Sequence, residues 1–218
     1  MKRTKSALRH IVAIGGAMSK AGASAPLLIQ YSLSLSKKKK PRILGLSTAT
    51  GDAQSSELWF YKLCANLQCS PSHISLFART PTDLAAQVMA SDVVFVGGGN
   101  TKSMLAVWRE YGLDQILRSA YDGGVIMTGS SAGGICWFEG CLTDSWADSY
   151  TSLPALGFLK GSCCPHYDGE VGRKDTYYGK IQSGELADGY ALDEAAGIHF
   201  VNETATCAIT ASKGASAY

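Results

Sequence analysis

Apolar residues in this chain gather into short dense runs, and longer stretches with helical spacing separate them. His10 to Ile14 is apolar and ends in Gly15-Gly16, which predicts a strand entering a loop. Arg42 to Ser47, running into Thr48-Ala49-Thr50-Gly51, predicts a second strand, and His73 to Phe77 a third. Asp92 to Val96 is almost purely β-branched, the pattern of a strand buried on both faces of a parallel sheet. Val125-Ile126-Met127 predicts a fifth strand. Between these runs, Ala25 to Leu35, Ser55 to Leu67, Thr82 to Met89 (Asp83 in its first turn), the stretch through Trp108, and Leu113 to Ala120 read as helices. After Ser149 the pattern loosens into turns. A basic helix near Asp175 to Gln182 and short strands near Gly189–Leu192, Ile198–Val201 and Cys207–Thr210 follow.

Strands alternating with helices predict βαβ crossovers and a three-layer α/β sandwich around a mostly parallel sheet. The length of 218 residues suits one domain spanning 1–218. A net charge of +2 excludes a strong field for nucleic acid or acidic membranes. The basic run Lys37 to Lys40 reads as a solvated loop. Seven cysteines without C-x-x-C or histidine partners argue for free buried thiols in a reducing cytoplasm, not a disulfide scaffold or a zinc site. Lys2, Arg3, Lys5 and Arg9 before an apolar stretch mimic a secretory leader. That stretch is short and broken by Gly15-Gly16, so a first buried strand is the better reading. No segment is long enough to span a membrane.

The chemistry centres on Gly129-Ser130-Ser131-Ala132-Gly133, directly after the Val125 run. Small residues around Ser131 allow a sharp strand-to-helix turn that exposes its hydroxyl and frees the Ala132 amide for an oxyanion. Such a pentapeptide also occurs by chance, so a base and further donors are required. Of four histidines, His10 and His73 begin strands at the amino edge, and His199 fits a half-exposed strand position. His166, in Cys164-Pro165-His166-Tyr167-Asp168, remains as the candidate base. Asp144, Asp148, Asp168, Asp193 and Glu194 are all candidate acids, and spacing does not choose among them. Gly97-Gly98-Gly99-Asn100 follows a buried strand and is a natural second oxyanion donor; the absence of G-x-x-x-x-G-K-[ST] weakens a phosphate-loop reading.

Together these residues resemble the peptidase E family of serine peptidases, which includes aspartyl dipeptidases and has cyanophycinases as relatives. The resemblance covers nearly the whole chain. It is strongest at Val94 to Thr101, at Gly129 to Gly133 running on to Thr143-Asp144-Ser145, and at Pro165 to Asp168. It implies a fold similar to the class I glutamine amidotransferase domain, a flavodoxin-like sandwich. Those amidotransferases carry cysteine where Ser131 stands, which argues against glutaminase chemistry.

The resemblance implies Ser131 as nucleophile, His166 as base and Glu194 as the orienting acid, with Asp144 also important. Oxyanion donors would be Gly98, Gly99 and Ala132. Asn100 and Thr101 are expected substrate contacts, and Arg173 or Lys174 would hold a substrate carboxylate, although the spacing from the histidine differs from that of aspartyl dipeptidases. The resulting expectation is a cytoplasmic serine peptidase of small peptides, Asp-X dipeptides among them, monomeric or homodimeric. It would need no metal or organic cofactor and have no nucleic-acid or membrane partner. Cyanophycinase-like or other amide and ester hydrolysis, or small-molecule binding without activity, are the alternatives.

Overall fold

The computed structural model describes residues 8–16, 24–146 and 148–218. Five strands lie side by side and parallel: β1 (His10–Ile14), β5 (Ile126–Ser130), β4 (Val93–Val96), β2 (Arg42–Leu46) and β3 (Ser70–Ile74), in that spatial order. Beyond β1 the sheet continues with β10 (Ala196–Val201) and β11 (Thr204–Thr210), each antiparallel to its inner neighbour. Side chains alternate across the pleat. Ala13, Leu46, Val96 and Met127 pack against α3 (Leu84–Ala90), α4 (Thr101–Glu110) and α5 (Leu113–Asp122). Ile14, Ile43, Phe95 and Ile126 pack on the opposite face against α1 (Ser24–Ser34) and α2 (Gln54–Ala65). Burial on both faces is why these strands read as unbroken apolar runs. The mostly parallel sheet between helical layers is the α/β architecture expected from the alternation.

The strand order reverses between β2 and β4, so their carboxyl ends flank the crevice where open α/β sheets bind ligands. Ser47, Gly97 and Ser131 all follow strands at this edge.

Several elements differ from the sequence expectation. The third strand begins three residues earlier than His73, because Ser70 donates to Pro41 O (2.8 Å) and opens the ladder with β2 there. On this sheet edge Pro71 is tolerated, since one side needs no donor. The amides of Leu76 and Phe77 turn instead to the Asp52 carboxylate. Asp83 precedes α3 as its cap, accepting from Ala86 N (2.8 Å).

The largest difference follows Ser131. Helix α6 (Ala132–Ile135) ends within one turn, and the chain enters a second sheet. That sheet contains β7 (Ser149–Pro154), β6 (Phe138–Trp146), β8 (Leu159–Cys164) and β9 (Gly189–Ala191), in that order. Phe138, Cys141, Leu159 and Cys163 join the core on the α4–α5 side of the main sheet. The other face of this sheet carries α7 (Arg173–Gln182), through Leu142, Cys164 and Tyr177.

Among the described residues no helix is long and apolar enough to cross a membrane. Lys2, Arg3, Lys5 and residues 17–23 of the leader-like stretch lie outside the described residues, whereas His10–Ile14 is strand β1. All seven thiols are free; six are buried, and Cys207 is exposed against expectation because β11 is the sheet edge. Within the basic run, Lys38 pairs with Asp92 (2.7 Å), which also binds Arg42.

Candidate active site

Ser131 sits at the carboxyl end of β5 with φ 56° and ψ −119°, a conformation L-residues rarely adopt. Its amide donates to Ile14 O (3.0 Å), and its carbonyl accepts from Gly134 and Ile135. The glycines around it are steric necessities. A Cβ at Gly133 would run into the Val96 backbone, one at Gly134 into Ile14 O, and one at Gly129 into Gly133 O. The turn is wedged between β4 and β1, and the serine side chain is left pointing out of the wedge.

His166 follows β8 and also has a positive φ, 50°. Its Nε2 lies 2.8 Å from Ser131 Oγ. Its Nδ1 meets the Glu194 carboxylate in a short contact. Glu194 is held from several directions. Its amide donates to Asp168 Oδ1 (2.8 Å), Ala195 N donates to Gly16 O (2.8 Å), and a Cβ on Gly16 would strike the Glu194 carboxyl. The neighbouring Asp193 is buried and accepts from Ser216 N (2.9 Å), so the end of the chain braces this corner. Burial first, and then Asp168 nearby, raises the Asp193 carboxyl above the usual range.

Asp168 and Asp193, two of the candidate acids, both act on the backbone around Glu194. Asp144 lies within β6. Its side chain is 56% exposed and pairs with Arg173 Nη2 (3.1 Å), not with His166.

The Gly97 loop stands beside the serine. A Cβ on Gly98 would lie 3.2 Å from Ser131 Cβ, and Gly99 has φ 138° because its backbone passes over Ala49. Gly97 N and Asn100 N are spent on Leu46 O and Ala49 O. Among the described residues the amides of Gly98, Gly99 and Ala132 donate to no protein group.

The expected substrate contacts are placed elsewhere. Asn100 caps α4, accepting from Ser103 N (2.9 Å) and donating through Nδ2 to Ser145 O (3.0 Å). Thr101 is buried against the Thr143 hydroxyl. Arg173 has no exposed side-chain surface: Glu170 takes its Nε and Nη2, and the Tyr150 ring stacks 4.5 Å away. Burial opposes its charge, but the Glu170 and Asp144 carboxylates outweigh that and raise its pKa.

Among the described residues the remaining histidines bond to groups other than Ser131. His10 occupies the opposite end of β1. His73, expected to open a strand at the amino edge, lies instead near the carboxyl end of β3, because that strand starts at Ser70; its ring is bonded to Tyr61 Oη (2.8 Å). His199 is buried, not half exposed, because β11 covers its strand and its ring lies between His10 and the Tyr31 hydroxyl. A cavity of about 460 Å³ opens beside Ser131 and His166 at the strand-order reversal. Its aromatic wall of Trp59, Phe60 and Phe95 is not singled out by the sequence, where only Phe95 falls in a run that reads as a buried strand.

The model of peptidase family S51 matches residues 11–208. The uncharacterized peptidase YgaJ of Bacillus subtilis is 46% identical over 211 residues, 97% of this chain and 91% of that protein. Two solved structures share the fold. One is a Listeria monocytogenes protein described as a peptidase E: TM-score 0.70, 16% identity, 94% of this chain and all of that one. The other is a peptidase from an acI-B1 actinobacterium: TM-score 0.68, 14% identity, 98% and 96% of the two chains. With the match running through the serine turn and both strands that brace it, the chain belongs to peptidase family S51 and is a serine-type peptidase.

Proposed function

We propose that the protein hydrolyses small peptides through Ser131, His166 and Glu194. The observation that carries this reading is the unbroken line from Ser131 Oγ to His166 Nε2 (2.8 Å) and from His166 Nδ1 to Glu194. His166 takes the hydroxyl proton as Ser131 attacks the peptide carbonyl, then gives it to the leaving amine; water repeats the sequence to release the acyl group. Glu194 holds the imidazole tautomer and balances its transient positive charge. The amide of Ala132, with that of Gly98 or Gly99, receives the oxyanion; loss of one such donor costs about 3 kcal/mol of barrier. Asn100, Thr101 and Arg173 have structural work in this reading, so the substrate is held by the cavity beside Ser131.

Ser131→Ala is expected to lower kcat/KM on a cleaved dipeptide by at least about 10⁴-fold. It should also abolish labelling by a fluorophosphonate, with an unchanged circular dichroism spectrum. Labelling that persists in the variant overturns the assignment.

A further inference from the structure

The cavity beside Ser131 is apolar by construction. Phe60 lies directly on Gly45, where a Cβ would come within 2.7 Å of its ring. The same ring stacks on Phe95 with centroids 5.9 Å apart and planes 7° apart, and Trp59 leans on Phe95 from 6.1 Å. At the rim the Thr50 hydroxyl is bonded to Ser47 O and to the Ser56 hydroxyl, so the polar groups there are neutral. His166 is the one ionisable side chain lining the cavity among the described residues.

The two residues next to the cavity's α2 wall that carry charge, Asp52 and Glu57, are acidic and engaged elsewhere. Asp52 is engaged by the Leu76 and Phe77 amides, and Glu57 by Ser75 and His73. Arg173, the cation expected for a substrate carboxylate, is sealed among Glu170, Asp144 and Tyr150. A carboxylate entering this space would lose water and find no cation, whereas a ring or branched aliphatic chain would meet matching surface.

We propose that this cavity receives the side chain of the residue whose carbonyl Ser131 attacks, and that this side chain is apolar, aromatic or large aliphatic, not acidic. The proposal rests on the reading of Ser131 as nucleophile. It places the side chain on the acyl side because Ser131 and Gly98, which would hold the attacked carbonyl, line the same cavity as Phe95 and Phe60.

The test is kcat/KM on the p-nitroanilides of phenylalanine, leucine, alanine and aspartate, which share one leaving group. Phenylalanine and leucine are expected to exceed aspartate by about 100-fold and alanine by about 10-fold. Fluorophosphonate labelling of Ser131 in the same preparation reads the nucleophile separately, with phenylalaninamide and aspartamide as protecting agents. If Ser131 is labelled and aspartate is cleaved as fast as phenylalanine, the pocket assignment falls and the nucleophile stands. The same holds if no anilide is cleaved and phenylalaninamide slows labelling no more than aspartamide. If Ser131 is not labelled, both fall. In a folded Trp59→Arg variant the aspartate-to-phenylalanine ratio should rise at least about tenfold; an unchanged ratio also overturns the proposal.

Discussion

Replacing Arg173 with methionine, and separately Glu170 with methionine, should give unequal losses in an order that contact counting would reverse. The guanidinium has no exposed surface, while the Glu170 and Asp144 side chains are 37% and 56% exposed. Arg173→Met removes one charge-assisted hydrogen bond, from Nε to Glu170, worth about 1.5–3 kcal/mol, the Nη2 ion pairs with Glu170 and Asp144, and a ring stack worth about 1 kcal/mol. It also removes the burial of a charge whose Nη1 and Nη2 have no hydrogen-bond partner among the described residues, which returns about 1–3 kcal/mol. The two carboxylates left behind reach water. The net loss should be about 1–2 kcal/mol.

Glu170→Met instead strands the buried guanidinium with one half-exposed partner, and should cost about 3–5 kcal/mol. The double variant should recover most of that difference. Urea unfolding midpoints at unchanged slope measure all three. An Arg173→Met loss larger than that of Glu170→Met would refute the reasoning. Because the guanidinium does not face the cavity, KM for a cleaved peptide should stay within about threefold in Arg173→Met; a tenfold rise would return Arg173 to substrate binding.

Glu194→Gln should lower kcat by about 10³–10⁴ with little change in KM, and Asp144→Asn should do far less; the reverse order in steady-state kinetics would transfer the orienting role to Asp144. Gly133→Ala drives a Cβ into the Val96 backbone, so a loss of about 2–3 kcal/mol or more is expected in thermal unfolding. His10 and His199 share a 2.9 Å contact near Tyr31, Cys207 and Lys37. Burial holds both below the usual histidine pKa, helped by Lys37 for His10 and by His10 for His199. The folded state therefore favours the neutral rings. Their contribution is intact above the unfolded histidine value and is lost as pH falls through the lower folded values. Tm should drop between about pH 7.5 and pH 5, and His199→Asn should flatten that drop; a variant with the same slope contradicts the assignment.

Local physics explains what was readable along the chain. Burial on both faces writes itself as an apolar run, so β1, β2, β4 and β5 stand out, with boundaries good to one residue except at β5, which runs three residues past Met127 to Ser130. The demands of a turn wedged against two strands are met by neighbours in sequence, so Gly129 to Gly134 announced Ser131. His166 was reachable because the other histidines fell within strands. Even there, His199 reads as half exposed, since nothing in Gly197 to Val201 tells that β11 and the His10 ring will cover it.

By itself the sequence determined the α/β alternation, the serine turn and the glycine loop beside it, because each depends on residues within one or two turns of chain. Only the tertiary structure decided which acid faces His166, since Glu194 is placed by Gly16, Asp168 and the chain end, all remote in sequence. Packing likewise gave Arg173 to Asp144, gave Asn100 and Thr101 to β6, and set Phe60 on Gly45 to line the cavity with rings. A side chain's partner is chosen by register and packing between distant segments, and no spacing along the chain encodes that choice.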